Sequence, residues 1–320
     1  MRILVSGSSG LVGSALLKRC QEPFPGEDLR QPPDVAPETV PGTVSVHRFE
    51  VIRLVRREPK PGGEIRWDPQ AGQIRAAELE GLDAVVHLAG DNIAAGRWTT
   101  AKKGRIYGSR VEGTRLLAET LAKLLRPPEV FISASAVGFY GDRGEEELDE
   151  GSPPGAGFLA GVCRDWEAAT EPASRAGIRV VNARLGMVLA REGGALARLV
   201  GLFRLGFGGR LGSGRQYLSW ITLGDVVEAI LFLVENDLLR GPVNLVAPQP
   251  VTNRQFTKTL GRVLHRPTIL PAPAFALRLA LGTMADEMLL SSARVRPRKL
   301  LQSRYPFCDP DLESVLRRVL

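Results

Sequence analysis

The chain has 320 residues and a formal net charge of +7, and 44% of its residues are hydrophobic and 24% charged. This length fits one large α/β domain or a nucleotide-binding domain with a smaller lobe, and the composition excludes an intrinsically disordered protein. The basic residues are scattered and not interleaved with aromatic residues on one element, so the charge predicts no nucleic-acid partner. The three cysteines are far apart and lack ligand spacing, which supports neither a disulfide framework nor a metal site.

The first apolar run, residues 3–5, is interrupted at once by Ser6 and Gly7, so it is too short for an export signal. No other apolar run approaches the length of a membrane span. We therefore expect a reduced, cytoplasmic setting and no membrane partner.

Apolar runs of strand length alternate with helical patterns along the chain, which is typical of βαβ units and a parallel sheet. The predicted strands are residues 2–7, 49–55, 83–90, 129–135, 178–189 and 241–247, and the predicted helices are residues 11–20, 109–125, 161–176 and 223–236. This order predicts an α/β Rossmann fold, a doubly wound parallel sheet with a smaller C-terminal substrate lobe. We assign residues 1–175 to the nucleotide-binding domain and 176–320 to the remaining strands interleaved with that lobe.

Residues 21–46 interrupt the alternation. They contain six prolines together with acidic residues and almost no periodic apolar pattern. Because proline fixes φ and lacks an amide donor, both a helix and a central strand are excluded there. We predict a mobile surface insertion, for which a partner-docking segment is the alternative.

A glycine turn lies between the first predicted strand and the first predicted helix. Its first glycine allows the tight turn, its second lets backbone amides approach a pyrophosphate, and its third permits close packing of helix on strand. The alternative is a glycine turn without a ligand. We place dinucleotide-binding residues at Gly7, Ser9, Gly10, Leu11, Val12 and Gly13.

The end of the second strand bears on the choice between NAD and NADP. An acidic residue there would hydrogen-bond the ribose 2′-hydroxyl, whereas this chain has Val55, Arg56 and Arg57. Since an arginine can pair with a 2′-phosphate, we predict NADP(H) as the cofactor, and two solvent-exposed arginines are the alternative. The third strand ends in small residues that can pass close to the adenosine ribose, namely Leu88, Ala89 and Gly90.

Several spaced motifs together resemble the atypical extended short-chain dehydrogenase/reductases of the sugar-nucleotide-epimerase-like family, some of whose members are labelled as cell-division inhibitors. The motifs are the glycine turn, HLAGDNI at 87–93, RW at 97–98, SRVEGT at 109–114, SASAVGFYGD at 133–142, FLAGVCRDWEAA at 158–169, RLGMVL at 184–189, SWITLGDV at 219–226 and MADEMLLSSARVRPRKL at 284–300. The resemblance implies further cofactor contacts at Arg110 and Val188. It also implies a small C-terminal domain of uncharacterised role at about 268–316.

The resemblance also implies a catalytic set of a serine or threonine, a tyrosine, and a lysine four residues after the tyrosine. When Glu167 is aligned with the family glutamate that follows this motif, Leu159 takes the tyrosine position and Cys163 the lysine position. Leucine has no proton to transfer, and a neutral thiol supplies no fixed positive charge to lower a phenol pKa. The usual dyad is therefore predicted to be absent.

Two other residues remain candidates for the catalytic role. Ser135, at the end of the fourth strand, could orient a carbonyl or hydroxyl group, although a small residue is also needed there to clear the nicotinamide. Tyr140 is the only phenol nearby and could act as the general acid in place of the missing tyrosine. The alternative is that Tyr140 contributes only to packing.

Two functions follow from this pattern. The first is an NADP(H)-dependent oxidoreductase or epimerase that acts on an unidentified small or nucleotide-linked carbonyl or hydroxyl compound. The alternative is a non-catalytic NADP(H)-sensing regulator or scaffold connected with cell division. Analogy with extended reductases adds a homodimer through the helices that flank the sheet.

Overall fold

The computed structural model describes residues 1–22, 49–308 and 311–320, so all but the first two residues of the predicted insertion lie outside the described residues. One eight-stranded sheet forms the centre, in the order β12-β8-β6-β5-β1-β2-β3-β4. Its strands are β1 (Arg2–Ser6), β2 (Glu50–Val55), β3 (Glu64–Asp68), β4 (Gln73–Ile74), β5 (Ala84–His87), β6 (Val130–Ala136), β8 (Arg179–Leu185) and β12 (Gly241–Leu245). All neighbours pair in parallel except β4, which is antiparallel to β3.

Helices cover both faces of this sheet, which makes the predicted doubly wound Rossmann fold correct. The flanking helices are α1 (Leu11–Gln21) and α6 (Leu223–Glu235) on one face, and α2 (Thr100–Leu121) and α4 (Glu171–Arg175) on the other. Alternate residues of a strand point to opposite faces. Accordingly Ile3 and Val5 belong to the core beneath α1 and α6, and Leu4 belongs to the core beneath α2.

Six short strands form three further two-stranded sheets. These strands are β7 (Glu147–Leu148), β9 (Met187–Leu189), β10 (Tyr217–Leu218), β11 (Trp220–Thr222), β13 (Val251–Thr252) and β14 (Arg294–Val295). They pair as β9 with β11, β10 with β13, and β7 with β14. The remaining helices are α3 (Phe158–Ala168), α5 (Gly194–Arg204), α7 (Asn253–Val263), α8 (Ala274–Leu281), α9 (Arg298–Gln302) and α10 (Leu312–Val319), with a π-helix at Ala285–Leu290 and 3₁₀ turns at Ala76–Leu79 and Val137–Tyr140.

The structure corrects several predicted boundaries. The strand predicted over 178–189 breaks at Gly186, where a Cβ would lie 2.6 Å from the Ser219 carbonyl oxygen, so the chain leaves the sheet and pairs with β11 instead. The helix predicted over 161–176 is two helices, α3 and α4, with Pro172 in the first turn of the second. None of the helices within the described ranges is long and apolar enough to cross a membrane.

The predicted start of one helix is wrong, and several elements, β3 of the central sheet among them, were not predicted. Helix α2 begins nine residues before its predicted start, because Thr99 caps it by accepting a hydrogen bond from the Lys102 amide. Strand β3 was not predicted, because charged residues alternate with its two buried residues, Ile65 and Trp67, and leave no continuous apolar run.

Candidate cofactor and active site

The glycine turn is packed too tightly to accept side chains. Gly7 has φ +67°, and a Cβ there would lie 2.6 Å from the Leu88 carbonyl carbon. A Cβ on Gly13 would lie 2.3 Å from the Gly7 carbonyl oxygen. The first and third glycines therefore have the steric roles that the sequence predicts. We call residues 7–13 the cofactor turn.

The cofactor turn presents the N-terminus of α1 without an internal anion. Gly10 is the N-cap and supplies no side-chain acceptor, and the first turn of α1 contains no acidic residue. The first amides of a helix have no partner within the helix, so they can donate to a phosphate. Ser9 and Gly10 are exposed, and Leu11 and Val12 are partly exposed, so the residues present fit a dinucleotide pyrophosphate.

Neighbouring strands bring the other predicted cofactor residues to the same edge. The register pairs Ser6 of β1 with Leu54 of β2 and with His87 of β5, so these three strands end together. The Ser6 hydroxyl accepts from the Leu88 amide at 3.1 Å and bonds His87 Nδ1 at 2.6 Å. Burial lowers the pKa of His87 to about 4, so the imidazole that bonds the Ser6 hydroxyl is neutral at physiological pH.

The two predicted phosphate-binding arginines have different environments. Arg57 donates to both carboxylate oxygens of Glu64 at 2.8 and 2.7 Å, and Arg53 lies 2.5 Å from the same carboxylate. The Arg57 hydrogen bonds hold the pKa of Glu64 down at about 2. Arg56 is exposed at the end of β2, and no carboxylate of the described residues pairs with it. Arg57 is thus held by Glu64 of β3, whereas Arg56 has no carboxylate partner among the described residues.

The loop after β5 is held in place by Arg110 from α2. Its guanidinium donates to the Asp91 carbonyl at 3.1 Å and lies 5.1 Å from the centre of the Trp166 ring. A Cβ on Gly90 would lie 3.2 Å from the Arg110 guanidinium carbon, so the loop passes directly over this arginine at Gly90. Burial lowers the pKa of Arg110.

The other predicted contact, Val188, lies in β9 and is partly buried against the sheet core. The chain then reaches Gly194, where a Cβ would lie 3.2 Å from the Leu11 side chain. Strand β9 therefore leads back to the cofactor turn.

Ser135 is 1% exposed, and its hydroxyl donates to Glu167 Oε1 at 2.6 Å. Glu167 in turn binds Arg184 through two hydrogen bonds of 2.7 and 2.8 Å. The Arg184 guanidinium lies 3.5 Å from the centre of the Phe139 ring. The serine hydrogen is therefore directed at a buried ion pair.

Tyr140 continues the same network. Its hydroxyl donates to Asn244 Oδ1 at 2.8 Å and accepts from Arg184 Nη1 at 2.9 Å, and the side chain is fully buried. Burial raises the pKa of Tyr140 to about 12. This geometry weighs against Tyr140 as a proton donor, although the catalytic roles of Ser135 and Tyr140 stay predictions. We call Ser135, Tyr140, Glu167, Arg184 and Asn244 the buried polar cluster.

The two residues at the dyad positions face Gly138 from α3. A Cβ on Gly138 would lie 3.5 Å from the Leu159 Cβ and 3.8 Å from the Cys163 sulfur. Burial raises the pKa of the Cys163 thiol to about 12, so the thiol stays neutral at physiological pH. A neutral thiol and a leucine do not replace the tyrosine and lysine.

Sequence reasoning missed Glu287, which reaches α3 from the π-helix. Its carboxylate accepts the amide hydrogens of Phe158 at 2.8 Å and Leu159 at 2.6 Å. A Cβ on Gly157, where φ is +108°, would lie 3.3 Å from the same carboxylate. No local signal could reveal a contact between residues so far apart in sequence.

A family model supplies the identification that the geometry leaves open. The model of the NAD-dependent epimerase/dehydratase family matches residues 48–245. The chain belongs to this family. A second model, for a domain of unknown function termed DUF1731, matches residues 272–319 and overlaps the C-terminal domain predicted at about 268–316.

Relatives within the family match almost the whole chain. The epimerase family protein ML0860 of Mycobacterium leprae is 41% identical over 305 residues, covering 95% of this chain and 91% of its own. The human epimerase family protein SDR39U1 is 33% identical over 323 residues, covering 100% of both chains. The resemblance found in the sequence motifs is therefore confirmed.

Two solved structures have the same fold over the full chain. Human SDR39U1 crystallised with NADPH has a TM-score of 0.84 and 32% identity, covering 100% of this chain and 99% of its own. A nucleoside-diphosphate sugar epimerase from Corynebacterium glutamicum has a TM-score of 0.75 and 36% identity, covering 100% of this chain and 58% of its own.

Proposed function

We propose that this epimerase-family chain binds NADP(H), with the pyrophosphate on the cofactor turn and the 2′-phosphate on Arg56. The observation that carries the proposal is the separation of the two arginines. Glu64 binds Arg57, whereas Arg56 has no carboxylate partner in the described part of the chain. The NADPH bound to human SDR39U1 supports the same choice of cofactor.

Nucleotide titration of an Arg56→Ser variant tests this assignment. We expect NADPH affinity to fall by about tenfold or more, as a lost charge-assisted hydrogen bond implies, while NADH affinity stays unchanged. Arg75→Ser is the control, because Arg75 is an exposed arginine that pairs with Glu78 on the surface. An equal loss of NADH and NADPH affinity, or no loss of either, would contradict the proposal.

The chemistry proposed for the bound cofactor is hydride exchange with an unidentified small or nucleotide-linked carbonyl or hydroxyl compound. NADPH supplies a hydride when it is bound. Ser135 can still accept a hydrogen bond from a substrate hydroxyl while its own hydrogen remains on Glu167. Because Tyr140 and Cys163 are buried with raised pKa values, the proton for the product comes from water.

A second function, a non-catalytic NADP(H)-sensing regulator or scaffold, is favoured by that same burial of Tyr140 and Cys163. Oxidation of bound NADPH by a panel of carbonyl compounds distinguishes the two functions. Turnover that falls in Ser135→Ala at unchanged NADPH affinity supports the enzyme, with Ser133→Ala as the buried control on the same strand. Tight NADPH binding without oxidation by any compound favours the regulator. The cell-division link, the cytoplasmic setting and the homodimer stay predictions.

A further inference from the structure

The acidic residues of this protein are distributed very unevenly along the chain. Residues 193–224 and 238–285 contain no aspartate and no glutamate. The same two segments contain nine arginines and one lysine, at positions 198, 204, 210, 215, 240, 254, 258, 262, 266 and 278. Their positive charge therefore exceeds the net charge of +7 of the whole chain, so these two segments are basic and the remainder of the chain has a negative net charge.

Exposed apolar side chains are concentrated in the same two segments. Eight of the eleven large hydrophobic side chains exposed among the described residues belong to these two segments, namely Leu202, Leu205, Phe207, Leu238, Ile269, Leu270, Phe275 and Leu279. Six of them are exposed by 61 to 81% and project into solvent. Helix α8 carries the last two and has no buried residue at all.

The two segments adjoin in space at the far end of α5. A Cβ on Gly209 would lie 1.6 Å from the Leu270 carbonyl oxygen, so the two backbones touch. Arg266 Nε also donates to the Arg204 carbonyl at 3.4 Å. We call Leu202, Leu205, Phe207, Ile269 and Leu270, with the arginines between and beside them, the apolar-basic face.

Three arginines of the apolar-basic face form no ion pair with the described part of the chain. Within residues 1–22, 49–308 and 311–320, no carboxylate forms an ion pair with Arg204, Arg210 or Arg266. Helix α5 begins against Leu11 of the cofactor turn and has 11 residues, so its far end lies about 15 Å along the helix from that turn. The face is thus separate from the cofactor turn.

We propose that the apolar-basic face docks on an anionic phospholipid surface. Projecting leucine, isoleucine and phenylalanine side chains enter the boundary between headgroups and acyl chains, and unpaired arginines beside them attract anionic headgroups. A second copy of the chain is disfavoured, because a symmetric contact would place two acid-free basic faces against each other. Nucleic acid is disfavoured because most of the projecting side chains are aliphatic and offer no ring for base stacking. We expected no membrane partner because no apolar run approaches the length of a membrane span. Docking on the surface of a membrane does not require such a run.

Vesicle sedimentation with the full chain tests this proposal. Phosphatidylcholine vesicles containing phosphatidylglycerol should bind the protein, vesicles of phosphatidylcholine alone should bind it weakly, and added salt should release it. The Phe207→Ser/Leu270→Ser variant should bind the anionic vesicles about tenfold less, since inserted apolar groups contribute much of the binding free energy. Arg204→Glu/Arg266→Glu should lose binding as well.

The matched control is Leu125→Ser/Leu238→Ser, because these leucines are 92% and 88% exposed but lie outside the face. All variants should retain NADPH affinity, which separates lost docking from misfolding and from failure of the proposed cofactor site. No binding to anionic vesicles, or an equal loss in the control variant, overturns the proposal. The proposal is also overturned if the protein binds RNA or polyglutamate as tightly as vesicles and the Phe207→Ser/Leu270→Ser variant binds them equally well. That result would assign the face to polyanions.

Discussion

The cofactor turn and the buried polar cluster are both built on the carboxyl ends of strands of one sheet, but their chemistry is arranged differently. The turn is made of glycines and leaves amides at a helix N-terminus without a side-chain acceptor. The cluster is made of polar side chains whose hydrogen bonds are directed at one another. Free donors can bind a ligand, whereas donors already paired inside the protein mainly stabilise it. The two regions should therefore respond differently to substitution.

The largest expected effect is on the buried ion pair. Arg184→Met leaves the Glu167 carboxylate buried without its partner, which should lower the free energy of unfolding by about 3 to 5 kcal/mol. Urea denaturation measures this loss, and adding Glu167→Gln should recover part of it. Arg175→Met is the control, because the exposed pair of Arg175 with Glu171 should contribute less than about 1 kcal/mol. A loss of NADPH affinity with unchanged stability would place the cluster in the cofactor site.

The next effect concerns the cofactor turn. Gly13→Ala inserts a methyl group where the Gly7 carbonyl oxygen would be 2.3 Å away, so the turn must shift. We expect NADPH affinity to fall by about 100-fold, or about 2.7 kcal/mol, in a fluorescence titration. Gly104→Ala is the control, since it lies in α2 with open space around it. Unchanged affinity in Gly13→Ala would show that the phosphates bind elsewhere.

A smaller effect should separate packing from catalysis at Tyr140. Tyr140→Phe removes the donor to Asn244 and the acceptor for Arg184, which should cost about 1 to 3 kcal/mol of stability. NADPH affinity and any NADPH oxidation should stay within about twofold of the wild type, as expected for a side chain without a role in binding or chemistry. If oxidation is lost while the unfolding free energy is unchanged, Tyr140 is the acid and the cluster is an active site.

The smallest effect is expected at Glu287. Glu287→Gln weakens the hydrogen bonds from the Phe158 and Leu159 amides, which should lower stability by about 1 kcal/mol in urea. Asp286→Asn is the matched neighbour, because its exposed pair with Arg278 should contribute less than about 0.5 kcal/mol. Equal losses in the two variants would show that the contact with α3 contributes nothing specific.

The sequence by itself determined the parallel sheet and the glycine turn of residues 7–13, whereas the absence of the tyrosine and lysine stays a prediction from the family resemblance. The sheet and the turn are local features: a short apolar run or a glycine spacing is sufficient to recognise them. Gly7 and Gly13 reveal the backbone geometry of the turn, because a Cβ at either position would lie within 2.6 Å of a backbone atom.

Only the tertiary structure decided which arginine lacks a carboxylate partner among the described residues and which candidate groups are already hydrogen-bonded. Arg56 and Arg57 are adjacent in sequence, and Glu64 on the neighbouring strand is what separates their roles. The Tyr140 hydroxyl is hydrogen-bonded to Arg184 and Asn244, and Glu287 caps the first turn of α3. The residues in these contacts are 44 to 129 positions apart in sequence. Such contacts leave no periodic trace in the sequence, because hydrogen bonds between distant side chains depend on how the strands and helices pack.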